Sequence, residues 1–330
     1  MHSRKLLSPL SDLVFKALFG REKKESKLIL IDFLNAILHL QGQAKIEKIT
    51  HLNPFNLQNF EGDKASVLDL KVKTEEGKRI NIEVQVNKED DFRKRSLFYW
   101  ANMYTETIAE SEAYLSLKKC IVINLLDFEI ITETTKYHTE YHILEKAERF
   151  RLIDDLEMHY LELPKFDPKK DTGQMQAHEQ WLTFMKNADK PEMEEKMNKL
   201  IERSEAIKMA KKMLNEISAD ELMRQKYYAR EKARLDEISR IKYAEIKGME
   251  RGMEKGLEQG LEKGMEKGLE KGMEKGMEKG IEKGKLEGLK EAAEKTAKKL
   301  LLRGFSPEQV VDLAELTLEE VMKLKETCED

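Results

Sequence analysis

The chain has 330 residues, of which 37% are charged and 40% hydrophobic, and its formal net charge is −4. That length holds one large domain or two ordinary ones, and the charged fraction is well above the roughly 25% of ordinary globular proteins. The near balance of signs excludes a chain that is basic throughout, so any nucleic-acid contact has to come from a local patch. Two cysteines, Cys120 in an apolar run and Cys328 near the end, make neither a disulfide framework nor a metal spacing, and suit a reducing cytosol. The N-terminus lacks the apolar stretch of a signal peptide. The best apolar run, LILIDFLNAILHL, is broken by Asp32, Asn35 and His39 and is too short to span a bilayer. These features predict a soluble, cytoplasmic protein that does not enter a membrane.

In chain order, SPLSDLVFKALFG predicts a first helix, with Ser8 or Ser11 at its N-cap and Gly20 in the left-handed position after its end. SKLILIDFLNAILHL (26–40) predicts a second, with Leu30, Phe33, Leu34 and Ile37 inward. KIEKITHLN suggests a short strand. ASVLDLKVKTEEGKRINIEVQVN reads as a hairpin, FRKRSLFYWANMYTETIAES (92–111) as an amphipathic helix, and KKCIVINLLDFEI (118–130) as a buried strand. KYHTEYHILEK and MHYLELPKF look like two more strands. The charge excess begins after about residue 165, and from there the pattern is helical.

Between Gly248 and Gly288 every fourth residue is glycine, typically followed by Met, Leu or Ile, then Glu, then Lys. Four residues overshoot a helical turn by about 40°, so the glycine stripe spirals and forms no fixed seam of the heptad kind. Eleven glycines cost roughly 10 kcal/mol against alanine. The segment is therefore either a linker or a helix that gains by packing on another copy of itself. Beyond it, SPEQVVDLAEL and TLEEVMKLKE each begin with a capping box, Ser306 with Gln309 and Thr317 with Glu320. Leu318, Val321, Met322 and Leu324 are expected to pack on Val310, Val311, Leu313 and Leu316. The resulting division is 1–165, an α/β domain; 166–247, a charged helical region; 248–288, the glycine repeat; and 289–330, a small helical module. The C-terminal helical region could make a homo-oligomer.

The hairpin carries the chemistry. Ile80, Ile82, Val84 and Val86 point one way, and Asn81, Glu83, Gln85 and Asn87 the other. The turn Thr74-Glu75-Glu76-Gly77 fits a type I turn followed by a left-handed glycine, the three-residue hairpin with a bulge. That register pairs Thr74 with Lys78, Lys71 with Asn81 and Asp69 with Glu83, so two carboxylates share one face. A simple four-residue loop would put them on opposite faces. Opposed carboxylates repel across a ladder, and a divalent cation would offset the cost. The alternative is a solvent-exposed sheet face with ordinary charges.

The succession DLVFKALFG, FLNAIL, DKASVLDLKVKTEEGKRINIEVQ and RSLFYWANMY resembles the recombination-promoting nuclease/transposase family of bacteria, within the PD-(D/E)XK nuclease superfamily. The likeness runs from about residue 8 to about residue 130, and the family also often carries tails with glycine at every fourth residue. The resemblance implies an α/β core of mixed sheet flanked by helices, of the restriction-endonuclease type, followed by the long helical C-terminal region. It implies a metal-dependent DNA endonuclease with Asp69 and Glu83 as acids. These two residues and the Val84 carbonyl would hold Mg²⁺ or another divalent cation. Gln85 occupies the position usually held by lysine. A glutamine supplies no charge and takes up no proton, so the cation would come from elsewhere: Lys71 on the same face, or Lys16 one turn after Asp12. Asp12 itself resembles the helix-borne acid that assists metal binding, although the helix dipole alone favours an acid there. Asp63 and Lys64 match the family pattern just before the strand, and loop structure explains them equally well. Arg93, Lys94, Arg95 and Ser96, with Lys88, make a small basic patch for DNA phosphates. Tyr99, Trp100 and Tyr104 read as packing residues, and the histidines show no ligand spacing. A protein that retains the nuclease fold but works as a DNA-associated interaction or assembly module is the alternative function.

Overall fold

A computed structural model describes residues 5–55, 70–88 and 91–327. Helix α1 (Asp12–Phe19) and helix α2 (Lys24–Ile37) lead to strand β1 (Ile49–His51) and then to the hairpin, β2 (Leu70–Thr74) and β3 (Arg79–Gln85). Helix α3 (Phe92–Thr105) follows, then strands β4 (Cys120–Leu126), β5 (His138–Tyr141) and β6 (Leu156–Glu162). Helices α4 (Ala177–Asn187), α5 (Glu194–Arg203), α6 (Glu205–Ala219) and the 82-residue α7 (Glu221–Leu302) come next, and α8 (Pro307–Ala314) and α9 (Leu318–Glu326) close the chain. The sheet order is β1-β2-β3-β4-β6-β5. Strands β3, β4 and β6 run parallel to their neighbours in that series, and the remaining pairs are antiparallel.

The hairpin follows from its turn. Gly77 sits at φ +87°, a conformation that costs glycine little. Its amide donates to the Thr74 carbonyl at 3.0 Å, and the Thr74 amide donates to the Lys78 carbonyl at 2.9 Å. The ladder then pairs Lys73 with Arg79, Val72 with Ile80, Lys71 with Asn81 and Leu70 with Ile82. This is the three-residue register expected from the sequence. Gly20, by contrast, is not left-handed; its φ is −99°. Its smallness serves close approach instead. A Cβ there would meet the Lys16 carbonyl at 2.9 Å and Phe55 and Leu70 at 3.2 Å.

Each sheet face has its own core. On one face Ile80, Ile82 and Val84 of β3 and Ile121, Ile123 and Leu125 of β4 pack in a cluster with α1, α2, α4, α5 and α6. Every residue of α1 from Leu13 to Phe19 is buried, so this helix is held by packing on all sides. The helices of the charged stretch after residue 165 are wet outside, but Trp181, Phe184, Leu200, Ile207, Leu214 and Ile217 share this same core. On the other face α3 covers Cys120, Val122, Leu126, Met158 and Tyr160 through Phe92, Trp100 and Met103. The Trp100 indole donates to the Cys120 carbonyl at 2.9 Å and stacks on Tyr104 at 5.0 Å. Both side chains are packing residues, and Tyr99 is partly exposed. Burial pushes the Cys120 thiol up to about 12. Cys328 lies outside the described residues.

By contact, the chain divides into one compact unit of Met1–Glu237 and a second of Ile238–Asp330. In the second, the glycine repeat is continuous α-helix, and Met253, Leu257, Leu261, Met265 and Leu269 along it are all exposed. A Cβ added at Gly264, Gly268 or Gly272 meets nothing within 4 Å. Replacing these three by alanine should therefore slow amide hydrogen exchange in the repeat, by about 1 kcal/mol of opening free energy per site. Faster exchange would mean that the glycines serve close packing against another chain. Both capping boxes form as expected, and the turn between α7 and α8 uses Gly304 at φ +83°. The packing of α8 on α9 is narrower than expected. Val310, Ala314, Leu316 and Val321 form the small core with Ala297, while Leu313, Leu318 and Met322 are exposed. Each of these short helices has room to bury only one row of side chains.

Candidate active site

Strand β3 alternates as expected, but its polar face is not wet. Asn81, Glu83 and Gln85 are 1%, 2% and 6% exposed. The reason is β4 alongside and α3 above, which periodicity alone does not reveal. The alternative of an ordinary solvated face is thereby excluded for these three side chains. Around Glu83 the structure builds a polar seam within an apolar layer. In the parallel register Glu83 faces Asn124, and Asn124 faces Tyr160. Ser96 of α3 donates to the Asn124 carboxamide oxygen at 3.1 Å, and the Asn124 amide donates to the His159 carbonyl at 3.2 Å. The Tyr160 hydroxyl has its pKa raised, chiefly by burial. The Gln85 amide lies 3.4 Å from the Glu83 carboxylate. Both polar atoms of the buried Asn81 carboxamide are without a hydrogen-bond partner among the described residues, an arrangement costly enough to need a reason. Sequence reasoning missed Asn124 and Tyr160, and put Ser96 in a basic patch rather than in this seam. The signal was present at Asn124, a lone carboxamide inside CIVINLL.

The other expected residues divide as follows. Lys71 stands beside Asn81 on the same face of the sheet and is half-buried. Val84 lies on the opposite face of β3 and pairs with Leu125. Asp12 sits in the first turn of α1 and forms an ion pair with Arg230 of α7. Lys16 is 9% exposed. Of the basic patch, Arg93 is committed to Glu133 at 2.9 Å, Arg95 lies over the Phe92 ring, and Ser96 is buried. Asp69, Asp63 and Lys64 lie outside the described residues. Among the described residues no group of three or more histidine, cysteine, aspartate or glutamate side chains is arranged to hold a metal ion.

Compared with known protein families, residues 9–244 match the PD-(D/E)XK nuclease family transposase. The chain belongs to this family. The mixed six-stranded sheet flanked by helices, with its long helical C-terminal region, is accordingly a PD-(D/E)XK-type fold, and the protein is of the nuclease and transposase type. The match reaches past the sheet to the first turns of α7, which in this PD-(D/E)XK protein carry Arg230. No curated protein and no solved structure matches the chain. Among the described residues of this nuclease-family chain, no helix is long and apolar enough to cross a membrane.

Four of the seven histidines, scattered in sequence, meet on the α1/α2 side of the sheet. His138 contacts His159 between Nε2 and Nδ1 at 2.9 Å, and the His39 ring lies 4.5 Å from that of His178 and 5.6 Å from that of His138. His39 takes a left-handed backbone, φ 53°. His159 is further held by Glu157 at 2.8 Å, which also pairs with Lys119 at 2.6 Å. Burial first, and then His159, His39 and His178, push His138 down to about 3 from 6.5. The unfolded chain therefore takes up this proton at higher pH than the folded one. Stability from this group is complete above about pH 6.5 and declines as pH falls towards 3, by at most about 1.4 kcal/mol per pH unit. Melting temperature should fall between pH 7.5 and 5, and His138→Gln should make that fall shallower. An unchanged slope in the variant would rule out this assignment.

Proposed function

We propose that this protein is a metal-dependent DNA endonuclease that hydrolyses phosphodiester bonds at a site centred on Glu83. The observation that carries the reading is the hairpin register. Its pairs from Lys73–Arg79 to Leu70–Ile82 follow the register from which the sequence pairs Asp69 with Glu83, and Asp69 itself lies outside the described residues. The described donors fit a hard cation: a buried carboxylate with carboxamides nearby and, among the described residues beside it on β3, no thiolate. The Asn81 carboxamide, without a partner among the described residues, is what a site missing one of its groups would show. Asp69, Glu83 and the Val84 carbonyl would hold Mg²⁺ or a similar ion, which when bound lowers the pKa of water and polarises the scissile phosphate.

The chain's own residues do the rest. Glu83 is fixed by burial and by its neighbours, so its oxygens need no reorganisation when DNA arrives. Gln85, with its amide near Glu83, orients water or a phosphate oxygen by hydrogen bonds. Asp12 assists from α1, and Lys71 supplies positive charge from the same sheet face. Phosphate contact through Lys88 and Lys94 gives salt-dependent affinity that does not depend on base sequence. Self-association through the C-terminal helical region belongs to the same reading.

The test is cleavage by the pure full-length protein of supercoiled, linear and single-stranded DNA with Mg²⁺, Mn²⁺, Ca²⁺ or EDTA. Nicking with Mg²⁺ or Mn²⁺ that stops in EDTA is the expected result. Gln85 in the lysine position favours a second reading, a nuclease fold acting as a DNA-associated assembly module. DNA binding without cleavage under every metal would establish that reading instead.

A further inference from the structure

Resting on the site reading above, we propose that Arg234 of α7 supplies the positive charge at the scissile phosphate that Gln85 lacks, and that Arg230 is a positioning residue for Asp12. Met223, Tyr227, Arg230 and Arg234 fall on one side of α7, spaced by three or four residues. The first two enter the core and so fix how the helix lies against α1 and β3. The next two carry that same side past the core to the carboxyl end of β3. All four belong to the compact unit that ends at Glu237.

The contacts place the guanidinium where the missing charge is needed. Arg234 reaches the side-chain oxygen of Asn87 with Nη1 at 3.4 Å, and Asn87 lies two residues beyond Gln85. The Gln85 carbonyl accepts from the Asp127 amide at 2.9 Å, and Arg234, Lys186 and Lys190 all act electrostatically on Asp127. One turn earlier, Arg230 is paired with Asp12. Arg234 of α7 thus stands at the carboxyl end of β3, with Lys186 of α4 and Lys190 beyond it acting on the neighbouring Asp127.

Three cations compete for the role. Lys16 is 9% exposed, too deep for a DNA phosphate. Lys71 stands beside Asn81, on the hairpin side of Glu83 and away from Gln85. Arg234 lies on the Gln85 side and is half-exposed. Glu231 holds its Nε and Nη2 edge at 3.3 and 2.8 Å, which fixes the plane of the fork. Among the described residues the Nη1 edge makes only the long bond to Asn87, which a phosphate oxygen can replace. A planar, permanently charged fork suits that exchange better than an ammonium.

The experiment measures nicking of supercoiled plasmid in Mg²⁺, and binding of a fluorescent duplex in Ca²⁺, for the full-length protein. Arg234→Ala should slow nicking on the order of 10²-fold while weakening binding by less than about threefold, since one of several phosphate contacts is lost. Adding Gln85→Lys to Arg234→Ala should recover at least about tenfold, because it returns the charge from the neighbouring strand. Gln85→Lys alone should nick more slowly than the wild type, because that charge is already supplied and the orienting amide is lost. Wild-type nicking by Arg234→Ala, or no recovery in the double variant, overturns the proposal. Glu83→Ala, run alongside, separates the two levels. If it is inactive while Arg234→Ala is fully active, only the role of Arg234 falls. If Glu83→Ala cleaves normally, or the wild type cleaves with no metal, the site reading falls as well.

Discussion

Replacing Glu83 by alanine is expected to reduce metal-dependent cleavage by 10²–10³-fold or more and to leave the fold intact. The carboxylate is 2% exposed, in a polar seam within an apolar layer. Burying a charge is expensive even where neighbours hold it, so in metal-free protein Glu83 is expected to add little to stability that alanine would forfeit. If Asp69 faces Glu83 as proposed, neutralising one of the two carboxylates also removes a repulsion. The metal-free variant should therefore melt at or slightly above the wild-type temperature. Added Mg²⁺ should raise the melting temperature of the wild type but not of the variant, because only the native state of the wild type binds the ion. Full cleavage by Glu83→Ala, or an equal response of both proteins to Mg²⁺, would remove Glu83 from the site.

The largest loss of stability should come from Trp181→Ala. Trp181 is 1% exposed. Its ring lies 5.8 Å from Phe19, 5.6 Å from Phe33 and 5.8 Å from Phe184, and its indole nitrogen donates to Asp32 at 2.7 Å. It joins α1, α2 and α4 at one point. Truncation leaves a cavity among three rings, which costs about 3–5 kcal/mol, a large share of the 5–15 kcal/mol that holds a domain together, while the exposed Asp32 carboxylate turns to water. Urea unfolding followed by circular dichroism measures it. Trp181→Phe keeps much of the volume but loses the donor and should fall between. A loss under about 1 kcal/mol for Trp181→Ala would mean that α4 is not integral to this core.

Much of this was legible because the code is local. Gly77 and the alternation from Ile80 to Gln85 set the hairpin and its register, and both capping boxes form where Ser306 and Thr317 stand. What was not legible depends on who covers whom. Asn81 and Glu83 read the same whether water or α3 lies above them, since period two reports faces and not depth. Arg230 and Arg234 sit in a stretch so charged that no cation stands out, and only the burial of Met223 and Tyr227 tells which side of α7 faces inward. His138, His159 and His178 come from β5, β6 and α4 and His39 from the turn after α2, and no spacing in sequence encodes their meeting.

The division of β3 has an evolutionary corollary. Ile80, Ile82 and Val84 hold the sheet to its helices, while Asn81 and Glu83 occupy the other face at a cost to stability. Selection for a folded chain and selection for a working site therefore act on alternate letters of the same seven-residue word. If a lineage were relieved of the need to cut DNA, drift would erode the odd positions first, and each apolar replacement would be rewarded with a firmer fold. Its descendants would keep the even positions and the hairpin glycine, and would look like intact members of the family long after the chemistry had gone.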